Sequence, residues 1–265
     1  MRGERDAIFW ITVMDDPVLW SLPVIGLIGG FLSGLLGLGG GVILLPLMTL
    51  VGKVPFKLAT GTTLIHVFLA ALTGMFLHYR EGMVDFKAGF LLGGLGILGG
   101  LLGSLLSAWL SVRFLEVVFL LVVALSMVLL FVPLKLKEMN YVKGGFNKLL
   151  GSAIGFGVGI LTGLLGVGGG FVMIPLMTYL LNIPFRITIG TSLLIILISS
   201  VGTLGAKYEV GHIDLSIAAM VVSGGVMGAW VGASISRRVP VRFLRFILFS
   251  TLVVIFIAMG YKTFF

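Results

Sequence analysis

Gly34-Leu35-Leu36-Gly37-Leu38-Gly39-Gly40-Gly41 returns as Gly163-Leu164-Leu165-Gly166-Val167-Gly168-Gly169-Gly170, 129 positions further on and without a gap. At the same offset Pro46-Leu47-Met48-Thr49 falls on Pro175-Leu176-Met177-Thr178, Pro55-Phe56 on Pro184-Phe185, and Gly61-Thr62 on Gly190-Thr191. Tyr79, Gly82 and Asp85 fall on Tyr208, Gly211 and Asp214, and Val112-Arg113-Phe114-Leu115 on Val241-Arg242-Phe243-Leu244. About thirty positions coincide over roughly 115, an ordered match that shared composition does not produce. The chain therefore reads as a tandem duplication within a single membrane domain, 1–265: repeat one covers 16–137, a linker 138–144, and repeat two 145–265.

Around these glycines the chain is apolar. Of 265 residues 58% are hydrophobic and 11% charged, with a mean hydropathy of +1.21. That excludes a water-soluble globule. The 40 glycines lie inside the apolar runs, where small residues let membrane helices approach closely or break. Without cysteine there is no disulfide, thiolate metal site or thiol nucleophile, and three histidines leave little for a metal centre. The net charge of +8 sits in short gaps between apolar runs, as membrane topology requires, and does not read as a nucleic-acid footprint. The opening MRGERDAIFWITVMDD lacks the small-residue site of a cleaved signal peptide and is expected to lie at the interface. Asp16-Pro17 reads as the cap and first position of the first membrane helix.

Each repeat holds three runs of spanning length, 55–78, 86–109 and 112–133, then 184–206, 214–236 and 240–262. The leading segment differs. Pro17 to Val51 would be roughly 52 Å long as one straight helix, too long for a single crossing. Its glycine cluster divides it into two half-helices of about 16 residues, which suggests a re-entrant hairpin turning at Gly37–Gly41. The expected fold is thus an all-α integral membrane protein of two homologous repeats, each a glycine-broken re-entrant hairpin plus three transmembrane helices. Three crossings per repeat would invert the second copy relative to the first. Loop charges favour that arrangement: Lys and Arg then divide about seven to eleven, against about ten to eight for four crossings. The richer side, expected to be cytoplasmic, holds Lys135, Lys137, Lys143 and Lys148 together with Arg237, Arg238, Arg242 and Arg245. Lys53 and Lys57 against Arg186 point the other way.

A hairpin tip at mid-membrane would expose the N-terminus of its second half-helix, with unpaired amides and the positive end of its dipole. Such an end binds anions directly. Gly39, Gly40 and Gly41, with Gly168, Gly169 and Gly170, lack Cβ atoms and would let an oxyanion reach their amides; their bland alternative is tight turning and close packing. Thr62 and Thr63, with Thr191 and Ser192, follow one to two turns into the next helix. Their hydroxyls could serve the same substrate or merely bond a carbonyl one turn back. His66 is the one ionisable group placed well inside an apolar run, a candidate for proton coupling or a structural histidine, with Ile195 at its counterpart. Asp85 and Asp214 read as helix N-caps, and the other acidic residues as lying in terminal segments or loops. His78, Tyr79, Lys207, Tyr208 and His212 read as interfacial anchors at helix ends.

The GLLGLGGG and GLLGVGGG stretches, each followed by a proline and a Gly-Thr-Thr or Gly-Thr-Ser helix, resemble the TauE/SafE sulfite exporter family over nearly the whole chain. That resemblance implies a secondary transporter of small anions such as sulfite or sulfonates, in a prokaryotic inner membrane, with no cofactor and no enzymatic activity. The residues agree: no phosphate-binding Gly-x-x-x-x-Gly-Lys-Ser/Thr loop and no His-Glu-x-x-His motif is present. Ser33 does not build a serine protease, since its counterpart is Thr162 and no histidine is placed beside it. The expected partners are a small anionic substrate and the lipid bilayer. A passive anion channel is the alternative, sharing the same architecture.

Overall fold

A computed structural model describes residues 21–131 and 141–264. Among them are ten helices: α1 (Leu22–Leu36), α2 (Gly41–Leu50), α3 (Phe56–Arg80), α4 (Phe86–Trp109), α5 (Val112–Phe131), α6 (Lys148–Leu165), α7 (Gly170–Tyr179), α8 (Phe185–Glu209), α9 (Leu215–Ser236) and α10 (Val241–Phe264). Seven of these, α3 to α6 and α8 to α10, are long and apolar enough to cross a membrane. The protein is a multi-pass, all-helical membrane protein. Helices α2 to α5 begin 129 positions before α7 to α10, the offset at which the sequence matches itself. The Asp16-Pro17 start and residues 138–140 of the linker lie outside the described residues.

Local chemistry sets the helix ends. Gly37 and Gly166 close α1 and α6 at φ +76° and +70°, and Gly40 and Gly169 open α2 and α7 at φ +80° and +68°. This left-handed backbone suits glycine and strains any L side chain. Pro55 and Pro184 fix the entries to α3 and α8. Asp85 caps α4 by accepting from Lys87 N and Ala88 N at 2.9 and 3.1 Å, and Asp214 caps α9 through Ser216 N and Ile217 N at 2.9 and 3.0 Å. The hairpin arms are less equal than expected. Helix α1 has 15 residues and α2 ten, because residues 51–55 turn the chain into α3, with Lys53 itself at positive φ. Arm α6, with 18 residues, reaches spanning length on its own.

The two repeats interlock. Gly26, Gly30 and Gly34 of α1 abut the backbone of Val221, Gly225 and Ala229 of α9 in that order, so these helices run parallel with no room for a side chain between them. Helices α6 and α4 repeat the contact, with Gly155, Gly159 and Gly163 against Leu92, Gly96 and Gly100. Helices α3 and α8 pack at the centre and run antiparallel: Thr60 meets Lys207, Gly74 meets Leu193, and His78 meets Gly190. Burial follows this order, since 67% of the apolar window of α8 is buried inside the protein against 28% for α10. Leu121, Leu125 and Val128 of α5 and Phe246, Val254 and Ile257 of α10 face outward as a lipid-facing surface.

Two sequence expectations are corrected here. His78 and Lys207 are not interfacial anchors, because both side chains turn inward between the central helices and are buried, whereas Tyr79 and Tyr208 are exposed. Nor do the acidic residues outside the caps all lie in loops or terminal segments. Glu116 is a buried residue of α5, paired with Lys262 of α10 at 3.0 Å, and that partner is what makes its burial tolerable.

Candidate functional site

The two hairpin tips meet in the interior. A Cβ on Gly41 would lie 2.6 Å from Val167 Cα, and one on Gly170 would lie 2.7 Å from the carbonyl oxygens of both Gly37 and Leu38. Every residue from Gly37 to Gly41 and from Gly166 to Gly170 is buried. The first turns of α2 and α7 therefore begin beside one another, each with N–H groups that have no intrahelical acceptor. Val67 of α3 and its counterpart Ile196 of α8 close over the pair, each standing against both Gly39 and Gly168. With Ala71 and Leu193 they form a small apolar cluster of their own.

The four hydroxyl residues expected beside the tips are all buried, and each bonds across to the opposite repeat. Thr63 Oγ1 donates to the Gly166 carbonyl at 2.9 Å, and Ser192 Oγ to the Gly37 carbonyl at 2.8 Å. Both hydroxyls also lie within reach of carbonyls of their own helix, Ala59 at 2.8 Å for Thr63 and Ile189 at 2.8 Å for Ser192. Thr62 Oγ1 accepts from Asp214 N at 3.1 Å, and Thr191 Oγ1 from Asp85 N at 2.9 Å. The first pair bears on electrostatics. A half-helix that ends at the tip points carbonyls, and hence negative charge, toward it. A hydroxyl donating to that carbonyl offsets part of this field.

His66 supplies the asymmetry. It is buried, its ring fills space that Gly225 leaves by having no side chain, and a Cβ on Gly40 would lie 3.1 Å from its Nε2. Neither ring nitrogen has a hydrogen-bond partner among the described residues; the Val221 carbonyl is close enough to interact with the ring but not in hydrogen-bonding geometry. Ser33 Oγ, on the first arm of the same hairpin, is also buried and unpartnered among the described residues. A buried polar atom without a partner is costly, so this tip presents hydrogen-bonding capacity that no described residue uses. Its counterpart in the second repeat is more apolar, with Ile195 at the histidine's position.

The sulfite exporter TauE/SafE family matches the chain over residues 22–259. The chain belongs to that family. Among the relatives of this TauE/SafE protein is the probable membrane transporter protein YdhB of Bacillus subtilis, 30% identical over 84% of this chain and 92% of its own length. The probable membrane transporter protein YunE of the same organism is 28% identical over 88% and 94%. The probable membrane transporter protein MJ0441 of Methanocaldococcus jannaschii is 27% identical over 87% and 91%. No solved structure matches the chain.

Sequence reasoning missed one element of this TauE/SafE protein. The 129-residue offset pairs Lys57 with Arg186 and His78 with Lys207, so each repeat sets a cation near the start of its central helix and a nitrogen base near its end. Lys57 Nζ donates to the Ala108 carbonyl at 3.0 Å, while Arg186 reaches the carbonyls of Arg237 and Val239 at 3.2 and 2.9 Å. Each cation thus binds the C-terminal end of the neighbouring helix, α4 or α9, where carbonyls gather. The signal was available in the alignment of the repeats.

Proposed function

We propose that the protein is a secondary transporter that exports small sulfur-containing or organic anions such as sulfite or sulfonates. The substrate binds where the two hairpin tips meet, at the amides of Gly39, Gly40, Gly41, Gly168, Gly169 and Gly170. The observation that carries the reading is the abutment of the α2 and α7 N-termini in the interior beside His66 Nε2, since two positive dipole ends and an unpartnered imidazole favour an anion. Thr63 and Ser192 hold the tip carbonyls and Thr62 and Thr191 hold the caps of α9 and α4; all four exchange these cross-repeat bonds for substrate oxygens as the repeats move. His66 takes up a proton when the anion arrives, which couples the two fluxes. The repeats lie inverted in a prokaryotic inner membrane with the linker cytoplasmic, a reading supported by the antiparallel run of α3 and α8 and by the basic residues near the linker and Arg237. Catalysis has no part in this function.

A carrier is favoured over a passive anion channel by the closure of the tips under Val67 and Ile196. Labelled sulfite should enter reconstituted vesicles saturably and show counterflow against unlabelled sulfite inside. Linear, non-exchanging flux would be the mark of a channel. An imposed proton gradient should accelerate net flux in the wild type and not in His66→Ala, which should still exchange sulfite; equal acceleration in both would remove His66 from the coupling.

A further inference from the structure

Lys207 is completely buried, and its contacts are hydroxyls rather than carboxylates. Its Nζ donates to Ser107 Oγ at 2.7 Å and to Thr60 Oγ1 at 3.3 Å. Each hydroxyl directs its own proton to a backbone carbonyl, Ser107 to Ser104 at 2.7 Å and Thr60 to Lys57 at 2.7 Å. Both therefore present lone pairs to the lysine, and an ammonium has a third N–H to give. The charged neighbour is another cation, Lys57, and the His212 ring lies within electrostatic reach of both lysines. His212 Nδ1 is buried and without a partner among the described residues.

Nearby acids do not answer this charge. Neither ion pair among the described residues involves Lys207 or Lys57. Glu209 is exposed, and one carboxylate oxygen of Asp214 is held by the first turn of its own helix. The corresponding end of the other repeat is different. There His78 binds the Gly34 carbonyl at 3.1 Å, and Glu81 faces His78 and pairs with Arg237 at 3.5 Å. The counterpart of Glu81 at the Lys207 end is Val210. A buried ammonium beside a second cation, with no counter-ion among the described residues, is strongly disfavoured, and a bound anion would neutralise it.

We propose that Lys207, Lys57 and His212 form a second anion-binding station, for a small oxyanion of the sulfonate or carboxylate class, next to the second hairpin tip. The inference rests on the anion-carrier reading above and adds a step to it. Thr60 links the two places, since its hydroxyl binds Lys207 while its backbone abuts Gly166. An anion leaving the tips on this side passes to Lys207 beside Thr60.

Thermal unfolding of the purified protein with increasing methanesulfonate or acetate tests the station independently of transport. Wild type and Gly40→Val are expected to be stabilised saturably, and Lys207→Arg to retain the effect. Lys207→Met should raise the half-saturating concentration about tenfold or more, the worth of a lost charged hydrogen bond. Should Lys207→Met fail to fold, Lys57→Met, at a partly exposed position, should shift the midpoint in the same direction by less. An unchanged midpoint in the folded methionine variant, or no stabilisation of the wild type by either anion, overturns the station. Saturable stabilisation that needs Lys207, in a protein that moves no anion, would instead count against the carrier reading alone.

Discussion

Ser192 Oγ lies 2.8 Å from the carbonyl oxygen of Gly37, joining the central helix of the second repeat to the chain break of the first. Thr63 makes the reciprocal bond to Gly166 at 2.9 Å. The two breaks are thus held by each other's repeats, and a shift of one repeat must rearrange the opposite tip.

Removing either hydroxyl leaves a buried carbonyl short of a donor. Ser192→Ala and Thr63→Val should each lower stability by about 1–3 kcal/mol, read as a fall in melting temperature of the purified protein. Wild-type melting in both variants would mean that the tip carbonyls need no cross-repeat donor.

Gly40→Val and Gly169→Val should fold poorly but detectably and transport nothing. The left-handed backbone costs an L residue roughly 1–2 kcal/mol. The added side chain enters the space beside Gly29 and His66 in one variant and beside Thr162 and Val158 in the other. Flux measured per folded molecule, with folding checked by size-exclusion chromatography, is the test; normal flux in both would take the tips out of the transport path.

The inverted arrangement is open to single-cysteine labelling, because the chain has no native cysteine. Ser111, between α4 and α5, and Arg238, after α9, are exposed. Ser236, at first sight the natural partner for Ser111, is buried and bonded to the Leu35 carbonyl at 2.8 Å. Cysteines at 111 and 238 should react with an impermeant maleimide from opposite faces of the membrane. Reaction from one face would refute the inversion.

Burial, and then the charges of Lys207 and Lys57, hold the His212 imidazole down to a pKa of about 4, against the usual 6.5. Because the folded value is lowered, the unfolded chain binds the extra proton between pH 6.5 and 4, and stability falls as the pH falls through that window. His212→Gln should flatten this part of the melting-temperature profile. A profile identical to wild type would mean that the ring is solvated and uncoupled from the lysines.

Backbone features were legible in the sequence where only one residue type serves. Gly37, Gly40, Gly166 and Gly169 adopt left-handed conformations, the prolines at 55 and 184 fix helix entries, and Asp85 and Asp214 cap as expected. Which side of a helix faces lipid was not legible, since both sides of these helices are apolar. Inward-facing Lys207 and His78 therefore looked like anchors, and Glu116 was missed because its partner, Lys262, lies 146 residues away. Asp85 shows the same limit. Its cap was readable, but not its bonds at 2.6 and 2.7 Å to Tyr141 and Gly144 of the inter-repeat segment. The tips' neighbours Val67, Ile196 and Gly225 carry no local signature and become meaningful only once the repeats interlock.

The account turns on the sign of the substrate, and parallel flux in reconstituted vesicles measures it directly. Labelled sulfite or a small sulfonate should move saturably through the wild type and fall to the level of protein-free vesicles in Gly40→Val, with Na⁺ and K⁺ crossing no faster than in empty vesicles. Saturable cation flux with no response to any oxyanion would contradict the account and the role assigned to both glycine tips.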